Sequence, residues 1–216
     1  MSVLQVNSIK DASDTKTLAT LSSSAVTMHG DVTVPASIGG TEVLLNTYTA
    51  NNSSDTIQSE DFSTTYTQYK IVITSLLYAN NNQRFMLFMR KSDGTVRANS
   101  NQYRTVSMTA YYSGSSSNHF VETATDTLIH APAHVASLSQ NGNANLGAVI
   151  HIFDPASSSI QTHAQGSLSY IGDGGYVYIN DCSGRSVNGA EAHNSFQIKS
   201  NSGNITTGTV RVYGIK

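Results

Sequence analysis

Gly208-Thr209-Val210-Arg211-Val212-Tyr213-Gly214-Ile215, near the end of the chain, alternates at every step: Val210, Val212 and Gly214 fall on one side, and Arg211, Tyr213 and Ile215 on the other. A repeat of two marks a β-strand with two unlike faces, because successive side chains leave opposite sides of the pleat. Gly214 within such a strand predicts a close approach by another backbone. Runs of the same kind occur at Glu42–Tyr48, Tyr69–Leu77, Gln83–Lys91, Tyr103–Tyr112, Leu146–Phe153, Gln161–Ile171, Tyr176–Ile179 and Ser195–Lys199. Turn chemistry separates them. Ser92-Asp93-Gly94 reads as a hairpin turn in which Asp-Gly supplies positive φ, and Gly172-Asp173-Gly174-Gly175 and Asn201-Ser202-Gly203-Asn204 read as further turns. The best helical stretch, Ala131–Ser139, is interrupted by Pro132. Connections too short for crossover helices imply antiparallel pairing. The expected fold is all-β: a jelly-roll-like antiparallel β-sandwich over residues 41–216, preceded by an extended β-arm over residues 1–40.

The arm differs in composition. Its apolar residues come thinly, as Leu18 and Leu21, Val26 and Met28, Val32 and Val34, with Ser, Thr, Asp and Lys between them and no aromatic residue among the first forty. Two or three short strands with one greasy face are marginal alone. Those six residues therefore call for cover from the sandwich or from another chain. Pro35-Ala36-Ser37-Ile38-Gly39-Gly40 reads as a hinge.

Bulk composition narrows the function. Charged residues make up 12% of the 216 and the net charge is −2, while Ser, Thr and Asn supply about a third of the chain. No run of Lys and Arg is present to neutralise a phosphate backbone, so no nucleic-acid partner is expected. No apolar run approaches the ~18 residues of a membrane span, and Met1-Ser2-Val3-Leu4-Gln5 breaks up any apolar leader. Cys182 is the single cysteine, which excludes an intrachain disulfide.

Candidate chemical motifs read as structural. His130-Ala131-Pro132-Ala133-His134 has the i, i+4 spacing of a helical zinc pair, but proline stands inside it and no Glu follows His130. His151 and His163 sit in runs that could be neighbours in a sheet, and His29 could meet its copies on a threefold axis. Glu60-Asp61 is a carboxylate pair without a glycosidase context. Cys182 has no nucleophile motif around it. No catalytic residue, metal site or cofactor is therefore assigned. Recognition residues are sought in two aromatic-led polar loops, Tyr78 with Asn80, Asn81 and Asn82, and Tyr111 and Tyr112 with His119.

Three segments carry a resemblance: Met1–Lys10 (MSVLQVNSIK), Phe62–Ile73 with Leu87–Arg90, and the ending Ser202–Lys216. Together they resemble virion appendage proteins of marine and cyanobacterial phages, with an N-terminal β-arm and a C-terminal β-sandwich; residues 113–145 match nothing in that family. The resemblance implies a non-catalytic virion protein, a homotrimeric tail fibre or short appendage that contacts other virion proteins and a host surface glycan. Two other readings stand beside it: a capsid decoration protein that cements the head, and a free-standing carbohydrate-binding module. The arm makes the first prediction. Val34→Asp is expected to reduce the assembled mass in sedimentation while the circular dichroism of the sandwich is unchanged.

Overall fold

A computed structural model describes residues 8–10, 17–21, 26–28, 42–80, 83–99, 101–112, 114, 117–131, 145–172, 176–187 and 189–216. The chain divides into two compact units, Met1–Thr41 and Glu42–Lys216. In the first unit β1 (Ser8–Lys10), β2 (Thr17–Leu21) and β3 (Val26–Met28) form an antiparallel sheet in that order. Leu21 is paired with Val26 and Ala19 with Met28. Leu18 stands three residues before Leu21, at a position of opposite parity, so the run does not keep one strict alternation.

The second unit is an antiparallel β-sandwich of unequal sheets. The broad sheet contains β4 (Glu42–Thr49), β6 (Gln68–Tyr78), β8 (Tyr103–Tyr112), β9 (Ser117–Ala124), β11 (Leu146–Phe153), β12 (His163–Ile171), β13 (Val177–Ser186) and β15 (Ile205–Ile215), in the order β4-β15-β6-β11-β12-β13-β8-β9. The narrow sheet contains β5 (Thr56–Gln58), β7 (Met86–Arg90), β10 (Ile129–His130) and β14 (Ser195–Lys199), in the order β10-β7-β14-β5.

Strand β6 lies at the heart of the core. It is bonded to β15 on one side and β11 on the other, and Tyr69, Ile71, Ile73, Leu76 and Tyr78 are buried along it. Above them pack Leu87, Met89, Phe196 and Ile198 of the narrow sheet. These two central strands of the narrow sheet are buried almost continuously, so their sequences MLFMR and SFQIK show no alternation. The Tyr69 hydroxyl donates to the Ser63 carbonyl and accepts from the Ser63 N–H, at 2.9 and 2.8 Å, which satisfies the polar end of a buried ring.

Val210 and Val212 are buried as their alternation requires. Gly214 is also buried, but what approaches it is the ring of Tyr66 rather than a backbone; a Cβ there would lie 2.7 Å from the ring. The turn at Ser92–Gly94 closes with Gly94 at φ 82° and Lys91 N–H bonded to the Thr95 carbonyl at 3.0 Å. Beyond it the chain forms only one bridge, Arg90 to Val96.

Three strands escape the sequence reading. β5 and β10 are three and two residues long, too short to show a period, and β9 lies in the segment 113–145. β13 runs to Ser186, well beyond Ile179, because its later inward positions are Asn180, Cys182, Gly184 and Ser186 rather than large apolar residues. The small residues have a packing reason. Thr127 and Leu128 cross this part of the broad sheet backbone-first, and Thr105 Oγ1 donates to the Thr127 carbonyl. A Cβ on Gly184 would lie 1.9 Å from the Leu128 carbonyl oxygen and 2.8 Å from Thr105 Oγ1. Gly184→Ala is therefore expected to destabilise the sandwich by ~3 kcal/mol, measurable as a lower midpoint in urea unfolding.

Candidate binding face

Because the strands of the broad sheet are in register, its outward residues form rows across the strands. One row runs Phe153, His163, Arg185, Arg104; the next runs His151, Gln165, Ser183, Val106, Thr123; the third runs Val149, Ser167, Asp181, Met108, Val121. Two further rows bring Ile179 beside Ala110 and His119, and Val177 beside Tyr112.

The side chains along these rows are not what a solvated face carries. Val106, Met108, Tyr112, Val121, Val177 and Ile179 are 45–61% exposed. They lie on only three adjacent strands, β13, β8 and β9, and make a continuous apolar strip. Such a patch, on the order of a few hundred Å², marks a contact surface more often than chance exposure does. Beside it a shallow hollow of about 550 Å³ opens over β12 and β13, with Gln165, Ser167, Asp181 and Ser183 at its floor and Val149, His151, Val106 and Met108 at its sides. A volume of that size suits a small ligand.

The loop residues expected to recognise a surface are distributed differently. Tyr78 is fully buried, because it ends an inward-facing run of β6, and burial raises its hydroxyl pKa. It is a core residue and not one that can recognise a surface. Asn80 is exposed, and its amide donates to Ser202 Oγ at 3.2 Å, joining two turns. Tyr111 is half-buried and stacks on Tyr178 at 5.3 Å between ring centroids. Tyr112 and His119 are exposed on the outer face, at the border of the apolar strip. Asn81, Asn82, Val32, Val34, His29 and His134 lie outside the described residues. Leu18, Leu21, Val26 and Met28 are placed in β2 and β3.

The remaining titratable groups behave as structural ones. Phe153 separates His151 from His163: its ring lies 4.3 Å from His163 at 10° and 6.4 Å from His151. Asp61 accepts a hydrogen bond from the Tyr48 hydroxyl at 2.8 Å. Burial, helped by the charge of Asp181, pushes the Cys182 thiol up to about 12, far from a reactive thiolate. No cluster of three or more metal-ligating side chains occurs among the described residues. Lys91 and the buried Arg97 both pair with Glu191, Arg97 at 2.7 Å, and this tie anchors the loop after β13 to the turn after β7. No family model, curated protein or solved structure matches the chain.

Two buried histidines carry a pH dependence. Burial and the charge of Arg84 outweigh Asp126 and lower His130 to about 4. Burial and the charge of Arg97 outweigh Glu191 and lower His193 to about 4. An unfolded imidazole takes up its proton near 6.5, so between that pH and about 4 the unfolded chain binds more protons and stability falls as pH falls. Each histidine is expected to contribute ~2 kcal/mol to the loss by pH 5. Urea unfolding at pH 7 and pH 5 measures it, and His130→Gln should reduce the difference between the two pH values.

Proposed function

We propose that the protein is a non-catalytic structural protein of a phage virion, a homotrimeric fibre or short tail appendage, whose arm attaches or intertwines and whose sandwich contacts its neighbours and the host surface. The observation that carries this reading is the exposed apolar strip of Val106, Met108, Val121, Val177, Ile179 and Tyr112 on β13, β8 and β9. A lone soluble sandwich is better served by charged residues on an outward sheet face; a strip of six large apolar residues is the composition of an interface core.

The occupant is a neighbouring copy of the same chain. Within β13, β8 and β9, Asp181 is the one charged residue in the rows that carry Met108 and Ile179, so most of the strip can be covered without burying a charge. Arg104 and Arg185, the outward cations of β8 and β13, stand at one end of the strip, where an approaching copy can leave them in solvent. The sparse apolar residues of residues 1–40 and the resemblance of the arm and C-terminal segments to phage appendage proteins point the same way.

The test is mutational. Met108→Lys together with Val121→Lys places two charges in the middle of the strip without disturbing the core, and is expected to raise the dissociation constant of the assembly at least tenfold, as read by sedimentation at graded concentration. Labelled antibody and electron microscopy of particles then locate the chain. Tail labelling supports the appendage reading, and labelling over the head supports the capsid decoration reading instead.

A further inference from the structure

Arg104 and Arg185 are register partners on β8 and β13, and Arg185 is in turn the register partner of His163 on β12. All three are exposed on the outer face. The sequence separates them by 81 positions, so no basic cluster is visible in it; the sheet assembles one. Like charges placed directly opposite across an antiparallel pair repel. Among the described residues no carboxylate lies within ion-pair distance of either arginine to offset that repulsion.

Neutral neighbours hold these side chains in place instead. Arg185 Nη1 donates to Gln161 Oε1 at 2.7 Å, Arg104 Nη1 donates to the Tyr103 carbonyl at 2.9 Å, and the His163 ring stacks on Phe153. The guanidinium groups are thus positioned with no carboxylate partner among the described residues, and little further ordering is needed to bind an anion. A hollow of about 430 Å³ opens beside Arg104, with Thr123, Thr125 and Val106 around it. Its accessible lining is mostly apolar, which suits the C–H face of a sugar ring next to the cationic pair.

We infer that this row is a binding site for an acidic polysaccharide, the guanidinium pair taking a carboxylate or sulfate group and the mostly apolar hollow seating the C–H face of the adjoining sugar. The ligand is not a nucleic acid: a duplex requires an extended track of cations to neutralise several phosphates, whereas this site is one short row on a chain of net charge −2. The inference rests on the proposed function, because it names the chemistry of the host surface that the sandwich would meet.

Immobilised polygalacturonate, dextran sulfate, neutral dextran and a DNA duplex serve as probes for the full chain. Binding is expected to both acidic polysaccharides at low ionic strength, with loss at high salt, and not to neutral dextran. Arg104→Gln with Arg185→Gln is expected to weaken it at least tenfold, while Arg211→Gln, a cation elsewhere on the same face, leaves it unchanged. Absence of binding by the unaltered chain, or equal binding by the double variant, overturns the inference. Tighter binding to the duplex than to either polysaccharide, abolished by the same substitutions, also overturns it and assigns the row to nucleic acid. Either failure leaves the virion assignment standing, since the position of the chain on a particle does not depend on these arginines.

Discussion

Eight strands hydrogen-bonded into one sheet present two broad faces to be covered, and the sandwich has only four short strands to cover one of them. The rest of the unit follows from that mismatch. Opposite β6, β11 and β15 the narrow sheet packs in the ordinary way, with Leu87, Met89, Phe196 and Ile198 against the isoleucines and tyrosines of β6. Opposite β8 and β13 a strand of two residues and the backbone of Thr127 and Leu128 lie on the broad sheet. A crossing backbone brings carbonyl groups that need donors and leaves no room for large side chains. Thr105, Ser107, Asn180 and Gly184 at the inward positions are the residues that such a neighbour tolerates.

The outer face responds to the same geometry. It has no second layer among the described residues of its unit, yet β13, β8 and β9 carry large apolar side chains there. Along the middle of β8 and β13 the inner and outer faces are therefore reversed from the usual pattern, with Thr105, Ser107, Asn180 and Gly184 within and Val106, Met108 and Ile179 without. The proposed interface with another copy would give that reversal a physical reason, because the outer face would then be the better-packed one in the assembly. The same rows bring Arg104, Arg185 and His163 together at one end, which separates a charged patch from an apolar one on a single surface.

Local pattern was informative wherever a strand carries a run of β-favouring residues bounded by turn residues. β4, β6, β8, β11 and β14 are legible within a residue or two, as is the inward face of β15. Legibility fails for short strands, which need no pattern when their neighbours hold them, and for the second half of β13, where polar residues face inward. Tyr78 illustrates the limit at the level of a site. It precedes a polar loop and looks like a loop aromatic, but its position two residues after Leu76 in β6 puts it in the core. His151 and His163 do lie on neighbouring strands, with a phenylalanine between them that only the register could place.

What the amino-acid sequence determined by itself is the all-β class, the division between a sparse arm and a sandwich, and the principal core strands, because each depends on spacing along the chain and on turn residues within a few positions. Tertiary structure alone decided the unequal widths of the two sheets, the apolar strip and the cationic row. Those features join residues from strands that are remote in sequence, and the identity of a strand's neighbour is set by pairing and packing, which no local period encodes.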